Sequence, residues 1–313
     1  MSEPSEVATV LTALPVMYQA LLGQLDEVER WPGGARENVA CGRLPGSSRR
    51  VATVLVSGHD RAADVIAEHV GETEAAVLFF VGVANCLEDD IALGDVVVAT
   101  EVHHELVGPH SEGLGGPPLP WQPSVSLVQD ASAALTDGRW RGRIAPGAFL
   151  TGRPAVHFKP IVSGGLPFDV TAGGVAERLD TGPRDAVAVD SGSAGAAVVA
   201  HLGRARHALV VCGIGGRAQD LGPAIDVDGS LSRAAFSAAA AVSAVIAGFP
   251  PGRLAGPGGE SSATARKRLA DRPGGERHYG GDHYEFSGVF TGSTVTGKQV
   301  GHRAERPRTG GDR

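Results

Sequence analysis

Apolar residues in this chain come in short blocks whose spacing alternates between that of a strand and that of a helix. Val7–Leu14 is β-rich and stops at Pro15, after which Val16, Ala20, Leu21 and Leu25 recur with helical spacing. Residues 38–44 and 50–56 flank a Pro45-Gly46-Ser47-Ser48 turn and are predicted to pair as antiparallel strands across it. A helix is expected from Ser57-Gly58-His59-Asp60 through His69, with Ser57 or Asp60 as its N-cap. Further strands are predicted over 76–81, 96–100, 155–163, 186–189 and 207–212, and helices over 125–134, 193–202 and 231–249. This alternation predicts an α/β fold, a single-domain mixed β-sheet flanked by helices on both faces.

The chain is organised around Ala76–Thr100, AVLFFVGVANCLEDDIALGDVVVAT. Its first apolar run is too short for a helix and is bounded by Gly82, so it reads as a fully buried strand. Val83-Ala84-Asn85 then follows as a tip of small side chains that lets a ligand approach the backbone. Glu88-Asp89-Asp90 forms an acidic turn, and Leu93-Gly94-Asp95 is the corner that launches the second buried strand. The segment 107–123 is rich in Gly and Pro and reads as a surface loop, either a lid or a plain connector.

The length of 313 residues and the 42% hydrophobic content suit one sizeable core of about 250 residues. The formal net charge of −7, without basic clustering in the folded part, disfavours nucleic-acid and anionic-membrane partners. Cys41, Cys86 and Cys212 have no metal-ligand or disulfide spacing and point to a reducing compartment; no metal or cofactor is expected. MSEPSEVATV lacks the pattern of a signal peptide, and the longest apolar segment, 234–249, is shorter than a bilayer needs, so the expected location is cytoplasmic.

Composition shifts after Phe249-Pro250-Pro251-Gly252. The predicted organisation is a domain over 1–250, a disordered linker over 251–280, a short β-prone motif over 281–300 and a disordered tail over 301–313. The motif, DHYEFSGVFTGSTVTGKQ, alternates aromatic or β-branched residues with polar ones and is punctuated by Gly288, Gly292 and Gly297. It resembles the short amyloid-like signalling motifs of bacterial effectors that work with nucleotide-binding sensor proteins, which implies such a partner. A merely disordered tail is the other reading, because Glu285 and Lys298 oppose stacking.

GVANCLEDDIALGDVVVATEV resembles the ligand-loop segment of the nucleoside phosphorylase and methylthioadenosine/S-adenosylhomocysteine nucleosidase superfamily. VLTALPVMYQAL near the N-terminus, HFKPIVSGG at 157–165 and AVAVDSGSAGAAVVAHLGRARHALVVCGIGGRAQD at 186–220 match it in the same order. The resemblance implies a purine nucleoside or nucleotide ligand and a homodimer. It also implies ligand contacts from Val83, Ala84, Asn85, Asp190 and Ser191, with Phe168 as a base-stacking side chain or, equally, a core aromatic.

Cleavage of a ribosyl C1′–N bond needs a proton for the departing base, an oriented water and a hold on the ribose diol, and carboxylates suit all three. The resemblance puts Met17, Gly192 and Gly216 where the nucleosidase branch carries its three carboxylates. Gly58-His59-Asp60 stands where phosphorylases cradle phosphate, and Asp60 would repel that anion, which favours hydrolysis over phosphorolysis. Two readings follow. One is a nucleosidase-fold protein with a degenerate site, a pseudoenzyme acting as a nucleoside-binding or signalling module. The other is an active purine nucleoside hydrolase using a substitute carboxylate, Asp190 or Asp220.

Overall fold

The computed structural model describes residues 7–30, 39–56, 77–104, 120–144, 152–163, 185–190, 207–218 and 229–250. All belong to the first of two units, Met1–Gly258; the second, Gly259–Arg313, falls outside the described residues together with the predicted linker, motif and tail. The helices expected over 57–69 and 193–202 also lie outside them, as does most of the 107–123 loop.

The described strands are β1 (Val7–Thr12), β2 (Asp26–Arg30), β3 (Val39–Arg43), β4 (Arg50–Leu55), β5 (Val77–Cys86), β6 (Val96–His104), β7 (Val156–Ser163), β8 (Ala188–Asp190) and β9 (His207–Arg217). The helices are α1 (Pro15–Leu22), α2 (Val125–Leu135) and α3 (Ser230–Gly248), with a 3₁₀ turn at Arg139–Arg143. Strand order is β2-β3-β4-β1-β5-β8-β7-β6-β9, and β9 pairs back onto β5. Five strands, β5, β8, β7, β6 and β9, thus close into a ring, while β1, β4, β3 and β2 extend from β5 as an open wing. The sheet is mixed: β1 runs parallel to β4 and β5, whereas β3 is antiparallel to both its neighbours.

Pro15 sits in the first turn of α1, where its missing N–H costs no helix hydrogen bond, so the residue that ends the strand block also starts the helix. The hairpin of β3 and β4 forms in the predicted place, with Val39 opposite Val54 and Arg43 opposite Arg50. β2 was not expected. Its sequence, DEVER, shows no apolar alternation; it is an exposed edge strand whose charges oppose further edge-to-edge pairing.

β5 and β9 run past their predicted ends. Gly82 reads as a strand terminator, yet the parallel β5–β9 ladder continues from Val77 opposite His207 to Cys86 opposite Arg217. A glycine interrupts a strand only where nothing pairs with it, and here each strand supplies the other's hydrogen-bond partners. The two buried strands of the central stretch are therefore not neighbours: β9 lies between β5 and β6.

Alternation along the strands divides the core in two. Phe79, Val81, Leu209 and Val211 face α1, α2 and α3, joined there by Met17, Leu127, Ala238 and Val242. Leu78, Phe80, Val97, Ile161, Val210 and Ile214 fill the inside of the ring.

α3 is the helix that seats most closely. Ala234, Ala235 and Ala238–Ala241 are buried and bring its backbone against β9, where a Cβ placed on Gly213 would lie 2.0 Å from the Ala234 carbonyl oxygen. Phe79 stacks on Phe249 with ring centroids 5.9 Å apart, and the Arg49 guanidinium donates to the carbonyls of Ala247 and Phe249 at the helix's C-terminal end. At 19 residues α3 is, among the described residues, the one helix long and apolar enough to span a membrane, which the shorter predicted segment is not. In this fold 61% of its apolar window is buried.

Gly213→Ala should lower stability by about 1–3 kcal/mol, because the methyl can be accommodated only by moving the α3 backbone. Urea unfolding followed by circular dichroism measures this, with Gly142→Ala, where a Cβ meets nothing within 4 Å, as the control.

Candidate functional site

The carboxyl ends of the parallel strands β5 and β9 open together at one edge of the ring, the place where α/β sheets commonly receive ligands. The ladder there is irregular. Ala84 pairs with Ile214 but Asn85 pairs with Gly216, so Gly215 is an extra residue, a bulge of the kind that re-aims side chains beside binding sites.

The bulge puts both glycines on one side. A Cβ on Gly215 would lie 2.5 Å from Val83 Cγ1 and 3.6 Å from the Leu231 Cα of α3, and one on Gly216 would lie 2.5 Å from Asn85 Oδ1. Val83, Asn85, Gly215 and Gly216 therefore form one surface on the helix-bearing side. Val83 and Asn85 are half-buried.

Ala84 and Asp190 point to the other side. Ala84 packs with the residues inside the ring, and Asp190, at the end of β8, is 4% exposed. Its Oδ1 would be 3.3 Å from a Cβ on Gly82, whose other neighbour is the Phe80 ring. Burial first, and the nearby Asp190 charge second, push the Cys212 thiol well above its ordinary 9.0, so this thiol stays protonated and unreactive at neutral pH. Cys41 and Cys86 are likewise free and buried.

Met17, on α1, is fully buried in the helix-side core. An apolar thioether fits that position, and an ionised carboxylate there would be desolvated. Phe168, Ser191, Gly192 and Asp220 lie outside the described residues. Among the described residues, no three His, Cys, Asp or Glu side chains converge as a metal-ligand set.

One polar hub beneath this edge was not anticipated. Asp95, 5% exposed, accepts hydrogen bonds from Ala155 N on Oδ1 at 2.8 Å and from Ala92 N on Oδ2 at 3.1 Å. Oδ2 also meets His157 Nε2 at 2.8 Å. Its backbone carbonyl receives Ile214 N, and Gly94 N donates to Ile214 O, both at 2.8 Å. Gly94 turns the corner at φ +94°, a conformation that favours glycine. The hub ties the start of β6 to β7 and to the residue that precedes the bulge. The predicted Gly-Asp corner marked its position; its partner His157, about 60 residues later, carries no local signal of the pairing.

At the rim, Arg217 Nη1 bridges to Asp89 Oδ1 at 2.9 Å, linking the end of β9 to the exposed acidic turn. Asp89 is almost fully exposed, so this ion pair orients the turn more than it stabilises the fold.

A family model described as the phosphorylase superfamily matches residues 8–247. The chain is similar to the solved 5′-methylthioadenosine/S-adenosylhomocysteine nucleosidase of Neisseria meningitidis in complex with methylthio-immucillin-A, with a TM-score of 0.63 and 21% identity over 78% of this chain and 100% of that one. It is similar to the Streptococcus pneumoniae nucleosidase of the same class in complex with 8-aminoadenine, with a TM-score of 0.62 and 19% identity over 77% and 99% of the two chains. The futalosine hydrolase of Helicobacter pylori gives a TM-score of 0.61 and 16% identity over 78% and 99%. These likenesses are likenesses of fold. No curated protein matches the sequence.

Asp95→Ala should cost on the order of 3 kcal/mol, because it strands two backbone donors and a histidine in a buried place. Thermal unfolding checks this, and His157→Gln should cost less because the two backbone bonds to Asp95 remain.

Proposed function

The chain belongs to the phosphorylase superfamily, and on that premise we propose that it binds a purine nucleoside or nucleotide at the β5–β9 edge without cleaving the glycosidic bond. It is a nucleosidase-fold binding or signalling module rather than a working hydrolase. One observation carries this reading: Met17 is fully buried in apolar surroundings and Gly216 faces the Asn85 side chain, so neither position offers an acid, a base or a water-orienting group. General acid–base groups contribute on the order of 100- to 10,000-fold each, and losing those that act together removes most of an enzyme's acceleration.

Asp190 does not support the hydrolase reading. It is buried on the ring side, away from Asn85 and Gly216, where it meets Gly82 and influences Cys212. In this proposal Val83, Asn85, Phe168 and Ser191 contact the ligand, and the Ala84 contribution is that of its backbone. The active unit is a cytoplasmic homodimer, a property taken from the family rather than from any residue described above.

The β-prone motif over 281–300 connects the protein to a nucleotide-binding sensor partner through the 251–280 tether. A flexible tether raises local concentration without imposing orientation.

Incubation of the purified chain with adenosine, inosine, methylthioadenosine and their nucleotides should release no free base above the uncatalysed rate, as measured by chromatography. Turnover on the order of 1 per second would overturn the proposal. A peptide covering 279–300 should assemble into cross-β fibrils, and Phe290→Asp should prevent assembly by placing a charge in a dry interface. A peptide that stays monomeric by sedimentation at millimolar concentration would contradict the signalling role of the tail.

A further inference from the structure

Building on the nucleoside-binding proposal, the geometry points to Asn85 as the residue that selects the base, and to a 6-aminopurine as the base it selects. Asn85 is the first residue of β5 to pair with β9 beyond the Gly215 bulge, and it is half-buried. Its side chain makes no hydrogen bond to another described residue. A half-buried amide at the edge of a sheet, without a partner among the described residues, is a group available to a ligand.

Asn85 and Gly216 form a matched pair. A Cβ on Gly216 would lie 2.5 Å from Asn85 Oδ1 and 3.5 Å from Asn85 Cγ, so the amide occupies the space that any side chain at 216 would need. The polar group on this surface therefore stands on β5, and it is an amide. Val83 stands beside it against Gly215, where β9 carries no side chain.

An amide presents a donor and an acceptor along one edge, whereas an ionised carboxylate presents acceptors only. The 6-amino group and N7 of an aminopurine offer the complementary donor and acceptor, and asparagine pairs with that edge in a bidentate manner. A 6-oxopurine offers two acceptors there, so one of them faces the amide oxygen and the pair is lost. The amide has no proton to give up at neutral pH, so it holds the base without protonating it.

Isothermal titration of the full chain with adenosine and with inosine tests this. The unaltered protein should prefer adenosine by about tenfold or more. Asn85→Ala should remove that preference, whereas Asn85→Asp, which deletes the donor to N7 but keeps an acceptor for the 6-amino group, should weaken adenosine binding and leave the preference for it over inosine. Gly216→Ala should weaken adenosine binding because its methyl displaces the amide. Unfolding midpoints within a few degrees of the unaltered protein show that the Asn85 variants are folded. Equal adenosine affinity in the unaltered protein and Asn85→Ala, or a preference for inosine, overturns the assignment to Asn85 while nucleoside binding stands. If the unaltered protein binds neither nucleoside, the binding proposal and this inference both fail.

Discussion

The parallel pairing of β5 with β9 is the constraint on which the rest of the fold depends. It closes five strands into a ring, carries the wing through β1, and provides the floor on which α3 lies. The contact tolerates little change because Gly213 admits the Ala234 backbone where no side chain would fit. An alanine-rich helix and a glycine-rich strand are two halves of one close packing. Small side chains forfeit apolar area individually, and the compensation is a large number of close backbone contacts.

The same ladder determines where chemistry is available. Its regular part is buried on both faces and offers no polar group to a ligand. Its irregular end, where Asn85 is set opposite Gly216 by the extra Gly215, is the place where a polar side chain emerges half-buried. The Asp95 hub lies just behind that end and holds Ile214 from both its backbone groups. A site of this kind owes its precision to the strand ends and the hub beneath them, which are fixed by buried hydrogen bonds.

The described residues near this edge differ in their surroundings. Val83 is half-buried against the Gly215 bulge, and the Gly94–Asp95 corner is fixed by hydrogen bonds to Ala92, Ala155 and Ile214. Met17 is part of the apolar core, and Gly216 has Asn85 Oδ1 where a side chain would stand.

Much of this was legible in the sequence. Short β-rich blocks alternating with helical spacing located β1, β3, β4, β7 and the three described helices, because burial imposes a period that local composition records. Other features depended on contacts between distant segments. The charged β2 has no apolar period, and it is a strand only because β3 offers an unpaired edge. Gly82 and Gly213 signal turns by themselves and became strand because β5 and β9 satisfy one another's backbone, and Gly215 is the extra residue where that pairing shifts. The separation of Ala84 and Asp190 from Asn85, the meeting of Asp95 with His157, and the seating of Asn85 over Gly216 each join residues far apart in the chain. Local pattern carries the preference of a segment for strand or helix; only tertiary packing decides which face of that segment meets which partner.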